Sequence, residues 1–281
     1  MASSSTKKAP PKAAAAPAPK QEVEVAATRD LVVSGDKAPD YIKSGNRGSE
    51  NVGTEDLVIP RLEVVQGLSP AVKRGDPGYV EGAKMGDLIN SVTRMIYGVH
   101  VFVVPVFYTK MWLLWKKRKD EKGNALPGGF LGAYPSPDEA EARKQEEAAN
   151  GFNASHMEVI DTPQHFCLLI NHHTGKVEEV MLSMPRTKAK ISRQWNSMIK
   201  LGGGDRFGRV YRVSTNLEKN ARGDFFNFAV SQSGFPAKSL YDHAEGLYKS
   251  IAAGTRKVVM DTTGMPTGED EGGDKGEGAE M

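Results

Sequence analysis

The sequence predicts a mainly β fold with added α-helices: a five-stranded, partly open barrel with one helix between its third and fourth strands, a second helix after the fifth, and disordered ends. Three observations predict it. Runs of β-branched and aromatic residues recur between residues 99 and 230 in hairpin-like pairs. One stretch, Thr187–Leu201, leaves that alternation for a helical period. The two ends lack the large apolar residues that would offset their ordering entropy.

The ends set the domain limits. Met1–Lys20 is almost entirely Ala, Pro, Ser and Lys and carries a charge of +4. Gln21–Gly53 is polar and broken by glycine, with Ala38–Lys43 as a short anchored turn, so residues 1–53 read as a basic head and linker. Residues 54–254 form the folded domain, and 255–281 an acidic tail. Its last stretch, Glu269–Met281, sets Glu269, Asp270, Glu271, Asp274, Glu277 and Glu280 against one cation, Lys275, for a charge of −5. The total is +2, so the middle carries +3. A basic front and body balanced by an acidic end suits a nucleic-acid binder. The one cysteine, Cys167, forms no internal disulfide and fits a reducing cytoplasm. No apolar run is long enough for a membrane span, and the head has neither a secretory h-region nor a transit-peptide pattern.

Within the body, Glu55–Gln66 sets Leu57, Ile59, Leu62, Val64 and Val65 around Pro60, which fits an edge strand or the start of one. Gly86–Thr93 reads as a short strand with a turn. Val99–Lys117 is the strongest strand signal, one bent strand or a tight pair, with Pro105 at a bulge or an edge. It ends in Lys116–Lys119 and a turn at Asp120–Gly123. Asn124–Ala154 is an insertion: loop at Pro127–Gly132, then a charged surface helix over Pro137–Asn150. His165–Asn171 and Val177–Met184 form a hairpin. On the following helix, Ile191, Trp195, Met198 and Ile199 make one apolar stripe, and Gly202–Gly204 stops it. Val210–Leu217 and Asp224–Val230 form the last hairpin. A final helix begins near Ser239, read as its N-cap, with Leu240, Ala244, Leu247 and Ile251 on its apolar face. A five-stranded barrel with its helix in this place is the OB-fold plan.

The residues offer little for catalysis. His165, Cys167, His172 and His173 lie close in sequence, but no second Cys pair or His-x-x-x-His completes a metal set. Gly202–Gly208 is glycine-rich yet follows a helix and precedes a strand, the reverse of a phosphate loop, so it reads as a helix stop and a loop that can still lie against nucleic-acid backbone. Cys167 sits inside an apolar strand, and no Gly-x-Ser-x-Gly is present. No catalytic residue, metal or cofactor is expected.

Cations and aromatics interleave, as a single-strand binder requires. Lys110, Trp112, Trp115, Lys116, Lys117, Arg118 and Lys119 lie in one stretch with Phe107 and Tyr108. Arg206, Arg209, Tyr211, Arg212 and Lys219 lie in another with Phe207. Alternation puts Lys110 with Trp112, and Arg209 with Tyr211, on shared faces. About half of the aromatics must fill the core, Trp195, Phe226 and Phe228 among them. Lys188, Lys190, Arg193 and Lys200 flank the helix stripe as either a solvated face or a phosphate-contacting one.

Asp56–Gln66 (DLVIPRLEVVQ), the later GDLINSVT and Leu182–Met198 (LSMPRTKAKISRQWNSM) resemble segments of tailed-bacteriophage early proteins. The strand plan and acidic tail are similar to phage single-stranded DNA-binding proteins with an OB-fold core. That resemblance implies a non-enzymatic protein of phage DNA replication or recombination in the infected host's cytoplasm, its tail recruiting a polymerase or helicase, with homo-oligomers possible. The alternatives are a virion structural or assembly protein and an RNA- or duplex-binding accessory factor.

Overall fold

The computed structural model describes residues 47–53, 57–126, 128–220 and 223–256. They fall into two compact units divided after Asn51. The expectations of a disordered head and tail, and the anchored turn at Ala38–Lys43, lie outside the described residues. In the first unit the Gly48 N–H donates to the Glu50 carboxylate at 2.8 Å.

The second unit is mainly β, with three helices and two antiparallel sheets among the described residues. The smaller sheet holds β1 (Leu62–Val64), β2 (Leu88–Asn90) and β3 (Ile96–Gly98) in that order. The larger sheet is built on β4 (His100–Lys116), the single long strand of the two options. Pro105 does mark a bulge: Pro105 faces Cys167 and Phe107 faces Phe166, leaving Val106 without an opposite residue. The other strands of this sheet are β5 (Gly129–Tyr134), β6 (Met157–Ile170), β7 (Val177–Ser183), β8 (Val210–Asn220) and β9 (Gly223–Gly234). Their order is β7-β6-β4-β8-β9. β8 pairs with the first residues of β4, and β5 with its last ones. The helices are α1 (Pro137–Ala149), α2 (Lys188–Gly202) and α3 (Lys238–Ala252).

A five-stranded barrel would close by pairing β7 with β9, and among the described residues that pairing is absent. The sheet is open. The smaller sheet spans the gap instead. Met181 N–H on β7 donates to Pro60 O at 2.8 Å. On the other side Gln66 holds Phe226 of β9 through both backbone groups, donating to its carbonyl at 2.7 Å and accepting from its N–H at 2.9 Å. Gly86 makes this approach possible. Its φ is +88°, and a Cβ there would stand 2.7 Å from the Phe226 ring.

Two apolar layers hold the sheet. On one face Val101, Val103, Cys167, Leu169, Val180, Leu182, Tyr211, Val213 and Phe228 pack beneath α2 and the smaller sheet, around Trp195 and Tyr97. On the other, Val104, Val106, Phe166 and Leu168 meet Ala244 and Leu247 of α3. α2 forms because its inward stripe is apolar, as the 3.6-residue period predicts.

Several elements depart from the sequence reading. The loop expected at Pro127–Gly132 gives way to strand from Gly129, because β4 runs far enough past β8 to offer β5 an edge. β6 begins at Met157, eight residues before His165; its first half, broken by Glu158, Asp161 and Pro163, still pairs with β4 along its length. β3 is an additional strand. α3 begins at Lys238, and its N-cap position is Ala237, with no side-chain cap bond.

Candidate nucleic-acid interface

The expected contact residues separate into distinct places. Past the bulge, Tyr108, Lys110 and Trp112 alternate onto the sheet face that also carries α2. Tyr108 faces His165 across the strands, their rings 5.1 Å apart. The Arg206 guanidinium lies 5.3 Å from the Tyr108 ring centre, and Lys110 Nζ lies 5.8 Å from that of Trp112. Lys110 also pairs with Asp161 at 3.0 Å, with both side chains well exposed, so this pair contributes little and opens readily. Tyr108, Lys110 and Trp112 are all partly accessible. They form a short cation–aromatic strip.

α2 borders this strip. Ser192 and Asn196 of α2 reach down to it: Ser192 meets His165 Nε2 at 2.8 Å, and Asn196 accepts from Arg206 at 3.0 Å. At 100° per residue, Lys200, Arg193, Ser197 and Lys190 come next around the helix beyond Asn196. Lys190, Arg193 and Lys200 are exposed and form no ion pair with any described residue. The helix carries no acid. One flank of α2 therefore presents three solvated cations over about 15 Å, the rise of ten helical residues. Lys188, at the start of the helix, lies 5.8 Å from the Phe228 ring centre.

Other expected contacts are placed elsewhere. Trp115 is 7% exposed and packs on Phe130, and Tyr211 is wholly buried under Trp195; neither offers a face to a base. Propensity marks both as strand residues but does not say which face a strand buries. Lys116, the last residue of β4, covers the Phe152 ring at 3.5 Å, while Lys117, Arg118 and Lys119 follow beyond the end of the strand. Lys219 sits at the β8–β9 tip, 3.6 Å from Asp224, where β8 has run past the start of β4. Arg212 is exposed between Tyr211 and Val213, both of which face α2, so it lies on the opposite face. Arg209 is bound to the Gly202 and Gly203 carbonyls, closing the end of α2 as a cation does at a helix C-terminus. The six tail carboxylates lie outside the described residues. Sequence reasoning passed over Phe235, 72% exposed and 5.7 Å from the Arg209 guanidinium, because it stands in a loop without alternation.

His165 is the buried centre of this region. Arg206 donates to its Nδ1 at 2.7 Å, so the ring carries its proton on Nε2 and donates to Ser192. Burial, then the Arg206 charge, holds its pKa well below the ordinary 6.5. The unfolded chain takes up a proton near pH 6.5 that the folded chain refuses. Stability from this site is therefore complete above about pH 6.5 and falls as the pH drops below it, by about 1.4 kcal/mol per pH unit. Urea unfolding from about pH 7.5 to about pH 5.5 should show a steeper loss in wild type than in His165→Gln. Cys167, buried in the same core, has its thiol pushed up to about 12 by burial and is inert.

No group of His, Cys, Asp and Glu among the described residues forms a metal-binding cluster. No described helix is long and apolar enough to cross a membrane. No curated protein and no solved structure matches the chain. Residues 24–257, most of the chain, match the family model described as Pam3 phage gp34-like protein. The chain thus belongs to the Pam3 phage gp34-like family.

Proposed function

We propose that this protein binds single-stranded DNA, without catalysing a reaction, during phage DNA replication or recombination in the infected host cell. The observation that carries this reading is the flank of α2: Lys190, Arg193 and Lys200, exposed and unpaired among the described residues, beside a strip holding Tyr108, Lys110 and Trp112. The cations neutralise phosphates and the aromatics offer faces to bases. Two further facts support it. The family is one of phage proteins. The strand order β7-β6-β4-β8-β9 in an open sheet, with α2 between β7 and β8, supports reading the domain as OB-like. The tail, with Glu269, Asp270, Glu271, Asp274, Glu277 and Glu280, then serves as the acidic segment that recruits a polymerase or helicase.

Fluorescence anisotropy of labelled poly-dT over a salt series tests this. Affinity should fall steeply with salt as counterions are released, and duplex DNA and RNA of equal length should bind more weakly. Equal affinity for duplex or RNA would reassign the substrate. No binding at low salt would reject the reading in favour of a virion assembly role.

A further inference from the structure

Four buried side-chain donors lack a hydrogen-bond partner among the described residues: Trp195 Nε1, Arg206 Nε, Arg209 Nε and the Tyr211 hydroxyl. They belong to one neighbourhood. Trp195 stacks on His165 with ring centres 4.4 Å apart and meets Tyr211 edge-on at 5.6 Å. His165 accepts from Arg206. Arg206 and Arg209 stand three residues apart in one loop, and the charge of each acts on the Tyr211 hydroxyl, opposing the rise in pKa that burial causes. Every one of the four can give a hydrogen, and buried groups of this kind are rarely left open.

The charges tell the same story. Among the described residues neither guanidinium meets a carboxylate. Arg206 is held by a neutral imidazole and an amide, Arg209 by two backbone carbonyls. Asp205, next in the chain, instead accepts from the Tyr241 hydroxyl at 2.7 Å. Burial lowers the Arg206 pKa, as expected of a cation without counter-charge. An acceptor-rich anion would satisfy the open donors and supply that counter-charge together. The loop above the donors is itself uncrowded: Gly203 and Gly204 are exposed, and a Cβ at either would have no heavy atom within 4 Å.

We propose that the donor cluster under the Gly202–Arg209 loop is an oxyanion site that takes a phosphate group. Arg206 and Arg209 provide the charge, and Trp195 and Tyr211 provide fixed neutral donors. The phosphate comes either from solution or from a nucleic-acid backbone. The site does not depend on the DNA-binding reading, and the two fail separately.

The test is thermal unfolding of the full chain in inorganic phosphate against chloride at equal ionic strength. Phosphate should raise the melting temperature in a saturable way. Tyr211→Phe keeps the ring and removes an open hydroxyl. It should be at least as stable as wild type in chloride, yet bind phosphate about tenfold more weakly. Arg209→Gln should weaken phosphate binding in the same direction. An oligonucleotide of abasic sugar–phosphate units that competes with inorganic phosphate assigns the site to a backbone phosphodiester. A phosphate response without such competition assigns it to free phosphate. No phosphate-specific stabilisation of wild type, or equal stabilisation of wild type and both variants, overturns the proposal. Poly-dT binding that persists in that case leaves the DNA reading intact.

Discussion

Neutralising Lys190, Arg193 and Lys200 together with glutamine is expected to weaken poly-dT binding roughly a hundredfold at about 0.1 M salt. Each cation that releases a counterion from single-stranded DNA contributes about 0.7 to the slope of log affinity against log salt, a factor of about five at that concentration. Three such contacts give the hundredfold loss and flatten the slope by about two. The three side chains are exposed and unpaired among the described residues, so their loss should cost little stability. The control is neutralisation of Lys144, Lys238 and Lys249. These stand on α1 and α3 and are already paired with Glu141, Asp242 and Glu245. The same net charge is removed, so a general field effect weakens both triple variants alike, whereas a contact surface on α2 weakens only the first. Equal losses, or an unchanged salt slope in the α2 variant, would sink the assignment of this flank.

The same helix shows what the sequence made legible. Its apolar stripe, its glycine stop and its position between two hairpins follow from local rules, and the structure keeps all three. Its cations were equally visible, but their role was open, since a basic flank looks the same in sequence whether it meets solvent or phosphate. The hydrogen bonds that Ser192 and Asn196 accept from the His165–Arg206 pair orient the helix, and hence its basic flank, relative to Tyr108 and Lys110. Those bonds join residues 27 and 10 positions apart and leave no local signature. Trp115 and Tyr211 were misjudged for the same reason. Alternation shows that neighbours point to opposite faces of a strand, but which face is covered depends on elements distant in the chain. β5 needed the overhang of β4 before it could pair, so propensity alone did not reveal it.

Trp195→Ala should destabilise the protein by about 3–5 kcal/mol, the range for deleting a buried large aromatic. The indole is wholly buried, stacked on His165 of β6 and against Tyr211 of β8, so it is the point where α2 is fixed to two strands of the sheet. Truncation leaves a cavity along that contact and removes the surface that holds the imidazole flat. The midpoint of urea unfolding should fall while the m-value stays constant, as for a two-state loss of packing. Trp195→Phe should cost far less, because it fills part of the volume and also removes an indole N–H without a partner. The two variants separate packing from chemistry. If α2 positions its cations through this anchor, poly-dT affinity should fall in the alanine variant under conditions where it remains folded. A destabilisation below about 1 kcal/mol in Trp195→Ala would mean that α2 is not anchored here, and that the basic flank has no fixed place beside the Tyr108–Lys110 strip.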